Sequence, residues 1–254
     1  MSFMLPIGIV EEGRRQRAVQ LRPLAGAHGR RLIDAVYGER GGDPVSTMLA
    51  VFVMRLGSRA EPDANRFDLL SFADRHALIA HLKIVQGEPC IEARVECPHC
   101  QSTQVFALDL RSIRLRGADP RRGITLRLNT QRRTLRLPTP ADCAESADEL
   151  DLIARCMDCR REDAEPWLAR AQRAMSVYDP LGEIALTGAC CACGTTLHGR
   201  ANLADDWLTS TARRAATLMH EIHALASRYH WSEDDILALP GARREAYLDL
   251  CEPA

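Results

Sequence analysis

The chain has 254 residues, 46% of them hydrophobic and 26% charged, with a formal net charge of −1. That is enough apolar chain for a real core, and too little net charge to hold duplex DNA or an anionic membrane by bulk electrostatics. Ten cysteines, with no basic-then-apolar leader at the N-terminus, point to metal ligation or free thiols instead of disulfides, and so to the cytoplasm.

Aromatic residues are sparse at 5%, so the core must rely on Leu, Ala, Ile and Val, and nearly all basic charge is Arg, with Lys83 the single lysine. No run approaches the ~18 apolar residues of a membrane span. Residues 17–24, "RAVQLRPL", alternate as a short strand that Pro23 ends. Leu32, Ile33 and Val36 follow at helical spacing, with Gly41 and Gly42 closing the helix. "DPVSTMLAVFVMRLGS" reads as a second, strongly apolar helix, and "RFDLLSFADRHALIAHLKIVQG" as a third, with Leu78, Ile79 and Leu82 on one side and an end near Gly87. Residues 1–88 are therefore predicted as a mainly helical region with a leading strand.

The pattern then changes to period two. "CIEARVECPHC" sets Ile91, Ala93 and Val95 against Glu92, Arg94 and Glu96, and runs straight into a C-x-x-C pair, Cys97 and Cys100. "QVFALDL" is a returning strand, which puts the pair at a hairpin tip. Residues 117–123 read as a loop, and "ITLRLNTQRRTLRLPTP" as a second hairpin turning at "NTQRR". Helical spacing resumes from residue 141 to 179, with Leu150, Ile153 and Ala154 as its apolar side. "RLPTPAD" reads as a strand-to-helix connection in which Thr139 or Asp142 is a cap before it is a catalyst.

"LGEIALTGACCACGTTLHGRANL" returns to short strands around a second cysteine cluster. A long helix over about 205–229 shows Leu208, Ala212, Ala215, Met219, Ile222 and Ala226 every three to four residues. Two short helices end the chain, Ser232 and Asp235 forming a capping box before the first and Pro240 separating them. The fold class predicted is α+β: a helical N-terminal part, zinc-ribbon-like hairpins over 89–204 with an insertion of about 105–185, and a helical C-terminal part over 205–254.

Cys97 and Cys100 with Cys190 and Cys193 supply four thiolates, the soft donor set of a tetrahedral Zn²⁺ site. Gly194, just after the second pair, permits the positive φ that such knuckle turns require. Cys191 makes the register ambiguous: it could replace Cys190, although the 190/193 spacing is preferred. Four thiolates leave no position for water, so the site is structural, not catalytic. The alternative is four metal-free thiols.

A third C-x-x-C, Cys156 and Cys159, falls inside an apparent helix and reads as core residues, with a metal half-site or redox pair as alternatives. "HEIH", residues 220–223, falls one residue short of the H-E-x-x-H zinc motif, so His223 is expected to pack between helices.

Several stretches together resemble the baseplate hub proteins of T4-type contractile phage tails, a family also found in phage-tail-like contractile injection systems. These are "FDLLSFADRHALIAHLKIVQGEPCIEARVECPHCQSTQVFALDL", with its Asp74–Arg75 pair, knuckle and Asp109–Leu110 strand end, then "LRLPTPAD", "DPLGEIALTGACCACG" and the tail from "HEIHALASRYH" onward. The resemblance covers most of residues 19–250. Two positions depart from it: the second knuckle lacks the usual proline, and Pro140 stands where the family tends to have Gly.

The resemblance implies a structural or assembly role without enzymatic activity or small-molecule substrate, and neighbours among hub, spike, tube or tape-measure proteins. The protein would be cytoplasmic during assembly, with retention in the finished particle as an alternative. Trp207, Tyr229, Trp231 and Tyr247 are the candidate partner-binding residues, because aromatic anchors dominate interfaces; a tail packed on its own domain is the alternative. A zinc-ribbon nucleic-acid binder is a second reading. It rests on Arg111, Arg114, Arg116, Arg121, Arg122, Arg132 and Arg133 and would show strong salt dependence.

Overall fold

The computed structural model describes residues 2–22, 28–38 and 41–251. Strands β1 (Ser2–Glu11) and β2 (Arg14–Leu21) form an antiparallel hairpin turning at Glu12 and Gly13, both with positive φ. The leading strand is therefore one member of a hairpin; Pro23 lies outside the described residues. Helix α1 (His28–Tyr37) buries Leu32, Ile33 and Val36 and ends before Gly41 and Gly42.

Asp43 caps α2 (Pro44–Phe52) by accepting from the Ser46 N–H. The apolar run was expected to stay helical through residue 58. Instead the chain leaves the helix at Phe52 and becomes β3 (Val53–Leu56), because Val53 and Leu56 fill the same core through sheet pairing with β2. With β4 (Arg59–Ala60) this completes a four-stranded sheet of order β1-β2-β3-β4. The expected third helix divides into α3 (Ala64–Phe67) and α4 (Phe72–Val85), where Ser71 provides the new N-cap. Leu78, Ile79 and Leu82 of α4 are buried as expected.

β5 (Cys90–Glu96) and β6 (Thr103–Asp109) form the first cysteine hairpin in unbroken register. β7 (Ile124–Leu128) and β8 (Gln131–Leu135) form the second hairpin, tighter than "NTQRR" suggested, with Asn129 at positive φ in the turn. Thr139 and Asp142 make a reciprocal capping box at α5 (Pro140–Ala144). Then come α6 (Glu149–Cys156), α7 (Arg161–Ala164) and α8 (Leu168–Tyr178). β9 (Ile184–Ala189) and β10 (Thr196–Ala201) carry the second cysteine cluster at their turn. Long α9 (Leu203–Tyr229), α10 (Glu233–Ala238) and α11 (Gly241–Asp249) close the chain. The class is α+β with a helical C-terminal part.

Three apolar clusters carry most of the packing. The largest joins the four-stranded sheet to α1, α2, α4 and the first half of α9, and includes Leu5, Val19, Phe52, Leu78 and Trp207. The second fills the space between the β7–β8 hairpin and α6–α8 around Ile153 and Trp167. The third sits where the end of α9 meets α10, with Leu225 and Ile236 at its centre. Full burial of each large aliphatic or aromatic side chain contributes roughly 1.5–3 kcal/mol.

The buried face of α9 is rotated from the expected stripe. Leu203, Trp207, Thr211, Ala215, Leu218, Ile222 and Leu225 face inward, whereas Met219 is 42% exposed. Trp207 was a candidate partner anchor, but it is fully buried against Phe52 at a ring separation of 5.6 Å, so it holds α9 to the core. Among the described residues, no helix is long and apolar enough to cross a membrane.

Buried charges tie the layers together. Asp74 at the start of α4 accepts from the N–H groups of Ile7 (2.8 Å) and Gly8 (2.7 Å). These two belong to the stretch where the β1–β2 register breaks; Gly8 has φ +82°, and a Cβ there would lie 2.3 Å from the Gln16 carbonyl oxygen. Arg75 next to it pairs with Asp43, and Lys83 at the other end of α4 bonds Asp206 of α9 at 2.6 Å. The Asp-Arg pair singled out by resemblance thus joins helix to sheet and helix to helix.

Candidate metal centre

The two cysteine turns are built alike, position by position. In the first, the Gln101 N–H donates to the Cys97 carbonyl (2.9 Å) and the Cys97 N–H to that of Ser102 (3.0 Å). In the second, the Gly194 N–H donates to the Cys190 carbonyl and the Cys190 N–H to that of Thr195, both at 2.8 Å. Gln101 and Gly194 hold the same place and both take positive φ, 59° and 77°. Gly at 194 does this without strain, whereas Gln101 does it against the usual preference of a residue with a Cβ.

The turns bring four sulfurs together. Cys97 Sγ lies 3.6 Å from Cys193 Sγ, Cys100 Sγ lies 3.6 Å from Cys190 Sγ, and all four are within 4.8 Å of one another. A disulfide needs about 2.0 Å, so these are free thiols. A metal about 2.3 Å from each of four tetrahedral sulfurs sets the sulfur–sulfur edges at about 3.8 Å. The cluster fits that polyhedron. It could hold a metal ion, and it is the only such group of His, Cys, Asp or Glu among the described residues.

The register question resolves through burial. Cys97 and Cys190 are 0% and 2% exposed and face inward, while Cys100 and Cys193 close the outer side. Cys191 turns away from the cluster, is exposed, and donates its thiol to Gln104 Oε1 at 2.6 Å. The other end of that amide donates to Ser102 Oγ at 3.1 Å, and Ser102 Oγ lies 3.1 Å from Cys100 Sγ and 3.3 Å from Cys190 Sγ. Thr195 Oγ1 lies 3.3 Å from Cys193 Sγ in the corresponding position. The Ser102 hydroxyl is the main reason that the Cys190 thiol is drawn down to about 6, and it lowers Cys100 as well. These two shifts favour the thiolate that a metal requires, whereas burial and contact with the Cys193 and Cys100 sulfurs push the Cys97 thiol up to about 11.

Close packing of the hairpins fixes this geometry. Phe106 and Val95 of the first hairpin pack on Leu197 and the inner cysteines. Gly188 and Gly199 make room: a Cβ at Gly188 would fall 2.3 Å from Phe106 Cε1, and one at Gly199 would fall 2.5 Å from Val95 Cγ2. Ser102, Gln104, Gly188 and Gly199 were not singled out in the sequence. A small residue two places after each C-x-x-C, and glycines alternating with β-formers, are the signals that could have shown them.

The other candidates stay apart from this site. Cys156 is buried at the end of α6, and Cys159 lies beyond the helix after Asp158 at positive φ, so the two do not share a helix face as expected. Burial pushes the Cys156 thiol up to about 12, which makes it an inert core residue at neutral pH. His220 and His223 are both exposed on α9, so His223 does not pack between helices, and Glu221 between them binds Arg244 at 2.9 Å. Tyr229 stacks on Trp231 at a ring separation of 4.8 Å, Tyr247 meets the two edge-on at 5.6 and 4.9 Å, and all three are half-buried where α11 folds back on α9. Comparison of the chain with protein-family models, curated proteins and solved structures found no match.

Proposed function

We propose that the protein is a non-enzymatic structural or assembly component of a contractile-tail baseplate hub, stapled by one structural Zn²⁺ on Cys97, Cys100, Cys190 and Cys193. The observation that carries the staple is the closed four-sulfur polyhedron joining hairpins whose cysteines stand 90 and 96 residues apart in sequence. Four thiolates complete a tetrahedral shell, so zinc there supplies cross-linking energy and offers no open position for substrate. The hub assignment rests on the family resemblance, and the Asp74–Arg75 pair and the knuckle both hold structural positions that suit it.

The C-terminal aromatic cluster and the α10–α11 tail are the proposed contact with hub, spike or tube proteins; Leu250 there is 70% exposed. Deleting residues 228–254 is expected to leave a zinc-containing protein that no longer supports particle assembly, scored by electron microscopy of contractile particles. Normal particles from the truncated chain would move the interface elsewhere.

The nucleic-acid reading has one specific observation in its favour. Arg127 and Arg132 stand opposite each other on the outer face of β7–β8, and neither has an ion-pair partner among the described residues. Against it, Arg111 and Arg121 are taken up locally by Asp109 and Asp119. Tight, salt-sensitive retention of nucleic acid in a filter assay would give this reading precedence.

A further inference from the structure

A groove of about 710 Å³ runs between the N-terminal end of α1, the middle of α9 and the turn from α10 to α11, within the size range of small-molecule sites. Leu32, Leu218 and Leu237 form an apolar wall. Arg213 and Arg214 also line the groove and make no ion pair or side-chain hydrogen bond among the described residues. Of the two lining carboxylates, Glu221 is held by Arg244 at 2.9 Å, while Glu88 lies 4.0 Å from a Lys83 ammonium already bonded to Asp206, so it offsets one of the two free arginines. Two free guanidinium groups against one carboxylate leave the groove with one net positive charge.

His28 supplies the second observation. It lines the groove, is only 8% exposed, packs at a tilt against the Phe52 ring at 4.8 Å, and its Nδ1 is sealed from solvent without a partner. A buried N–H with no acceptor carries the full desolvation penalty of that group, so the proton belongs on Nε2. That leaves Nε2–H as the ring's polar edge available to a ligand.

Burial, then the fields of Arg214, Arg22 and Arg31, lower His28 to about 4, so it is a neutral donor at neutral pH. Arg22 and Arg31 are already bound to Glu61, which leaves Arg214 as the nearby cation free to engage something else. The first turn of α1 carries no acidic residue to offset its positive dipole end.

We infer that this groove binds a small ligand with an oxyanion head, phosphate or carboxylate, on a short apolar body. Arg213, Arg214 and the His28 ring edge hold the head, and the Leu32–Leu218–Leu237 wall takes the body. This site is independent of the metal staple and of the hub assignment.

The test titrates the full-length, metal-loaded protein with inorganic phosphate and, separately, with butyrate, at ionic strength held constant by sodium chloride. The His28 imidazole C–H signals are followed by NMR. A saturable shift with either anion supports the site, and which anion saturates first identifies the head group. R213A/R214A changes only exposed side chains and is expected to weaken binding at least about tenfold, the loss of one or more charge-assisted hydrogen bonds, with an unchanged melting temperature. R214E, as a second variant, should abolish it. A shift that rises linearly without saturation, or binding by both Arg variants equal to the parent protein, would overturn the inference.

Discussion

Two staples hold this molecule together, and they differ in kind. The sulfur cluster joins the cysteine ends of two hairpins, β5–β6 and β9–β10, where the local apolar cluster is small, Val95, Phe106 and Leu197 around the inner cysteines, while Ile91 and Ile184 at their other ends enter the largest core. The Asp74 carboxylate joins α4 to the β1 irregularity, 66 and 67 residues away, from a fully buried position beside Ile7 and Ala73 of the second apolar cluster. The first closes a small local core with four thiols that could hold a metal ion. The second satisfies two buried N–H groups that an interrupted β ladder leaves without partners. Long-range closure by a few polar atoms thus serves opposite needs: a thin core at the hairpin tips in one place, and a well-packed core with a backbone defect in the other.

The largest effect should come from breaking the metal staple. C97S or C190S, or stripping the metal with a chelator, is expected to cost several kcal/mol, a large share of the ~5–15 kcal/mol that folds a domain. The accompanying loss is one equivalent of zinc by elemental analysis, with faster hydrogen exchange confined to β5–β6 and β9–β10. Unchanged melting after complete chelation would show that the hairpins hold without metal.

Breaking the carboxylate staple comes next. D74A leaves the Ile7 and Gly8 N–H groups buried and unpaired, at roughly 1–3 kcal/mol each, while zinc content stays the same. Burial pushes Asp74 up to about 6 against the pull of those two N–H groups. The folded protein therefore holds this proton more tightly than the unfolded chain, whose carboxyl has its ordinary value of 3.8. The Asp74 contribution to stability falls as pH rises from about 4 to about 6 and is flat above. D74N should remove that slope from the difference between the two proteins' denaturation curves; an identical pH profile would show that Asp74 titrates as an ordinary surface acid.

A smaller loss is expected from G199A. Its new Cβ meets the stiff Val95 side chain, and overpacking of this kind costs about 1–3 kcal/mol. V95A in the same chain should recover part of it in thermal melts. Smallest is C191S, within about 0.5 kcal/mol of the parent and with full zinc content, because Cys191 is exposed and outside the polyhedron. Loss of metal in C191S would reverse the ligand assignment.

Three C-x-x-C pairs share one spacing, yet only two join the site. Cys97–Cys100 and Cys190–Cys193 sit on hairpin turns with a positive-φ residue directly after the second cysteine, and the alternating flanks showed both hairpins. Cys156–Cys159 ends a helix, and its buried member is held as a neutral thiol. Local pattern was also sufficient for α4's apolar face, the Thr139–Asp142 and Ser232–Asp235 caps and the tail helices. It was insufficient where an apolar run suits helix and strand equally, as at Phe52–Val53, and for the rotation of α9, where Trp207 turned inward and Met219 outward.

The sequence by itself determined the elements and the donor chemistry: hairpins from period-two alternation, helices from their caps and spacing, and four thiolates as a soft donor set. These depend on interactions within a few residues. The tertiary structure alone decided which cysteine of the 190/191 pair turns inward, that Gly188 and Gly199 let the hairpins approach, and that Asp74 answers a backbone defect in a distant strand. Each of these depends on which surfaces meet across 66 to 96 residues of chain. Local propensity carries no record of that distance.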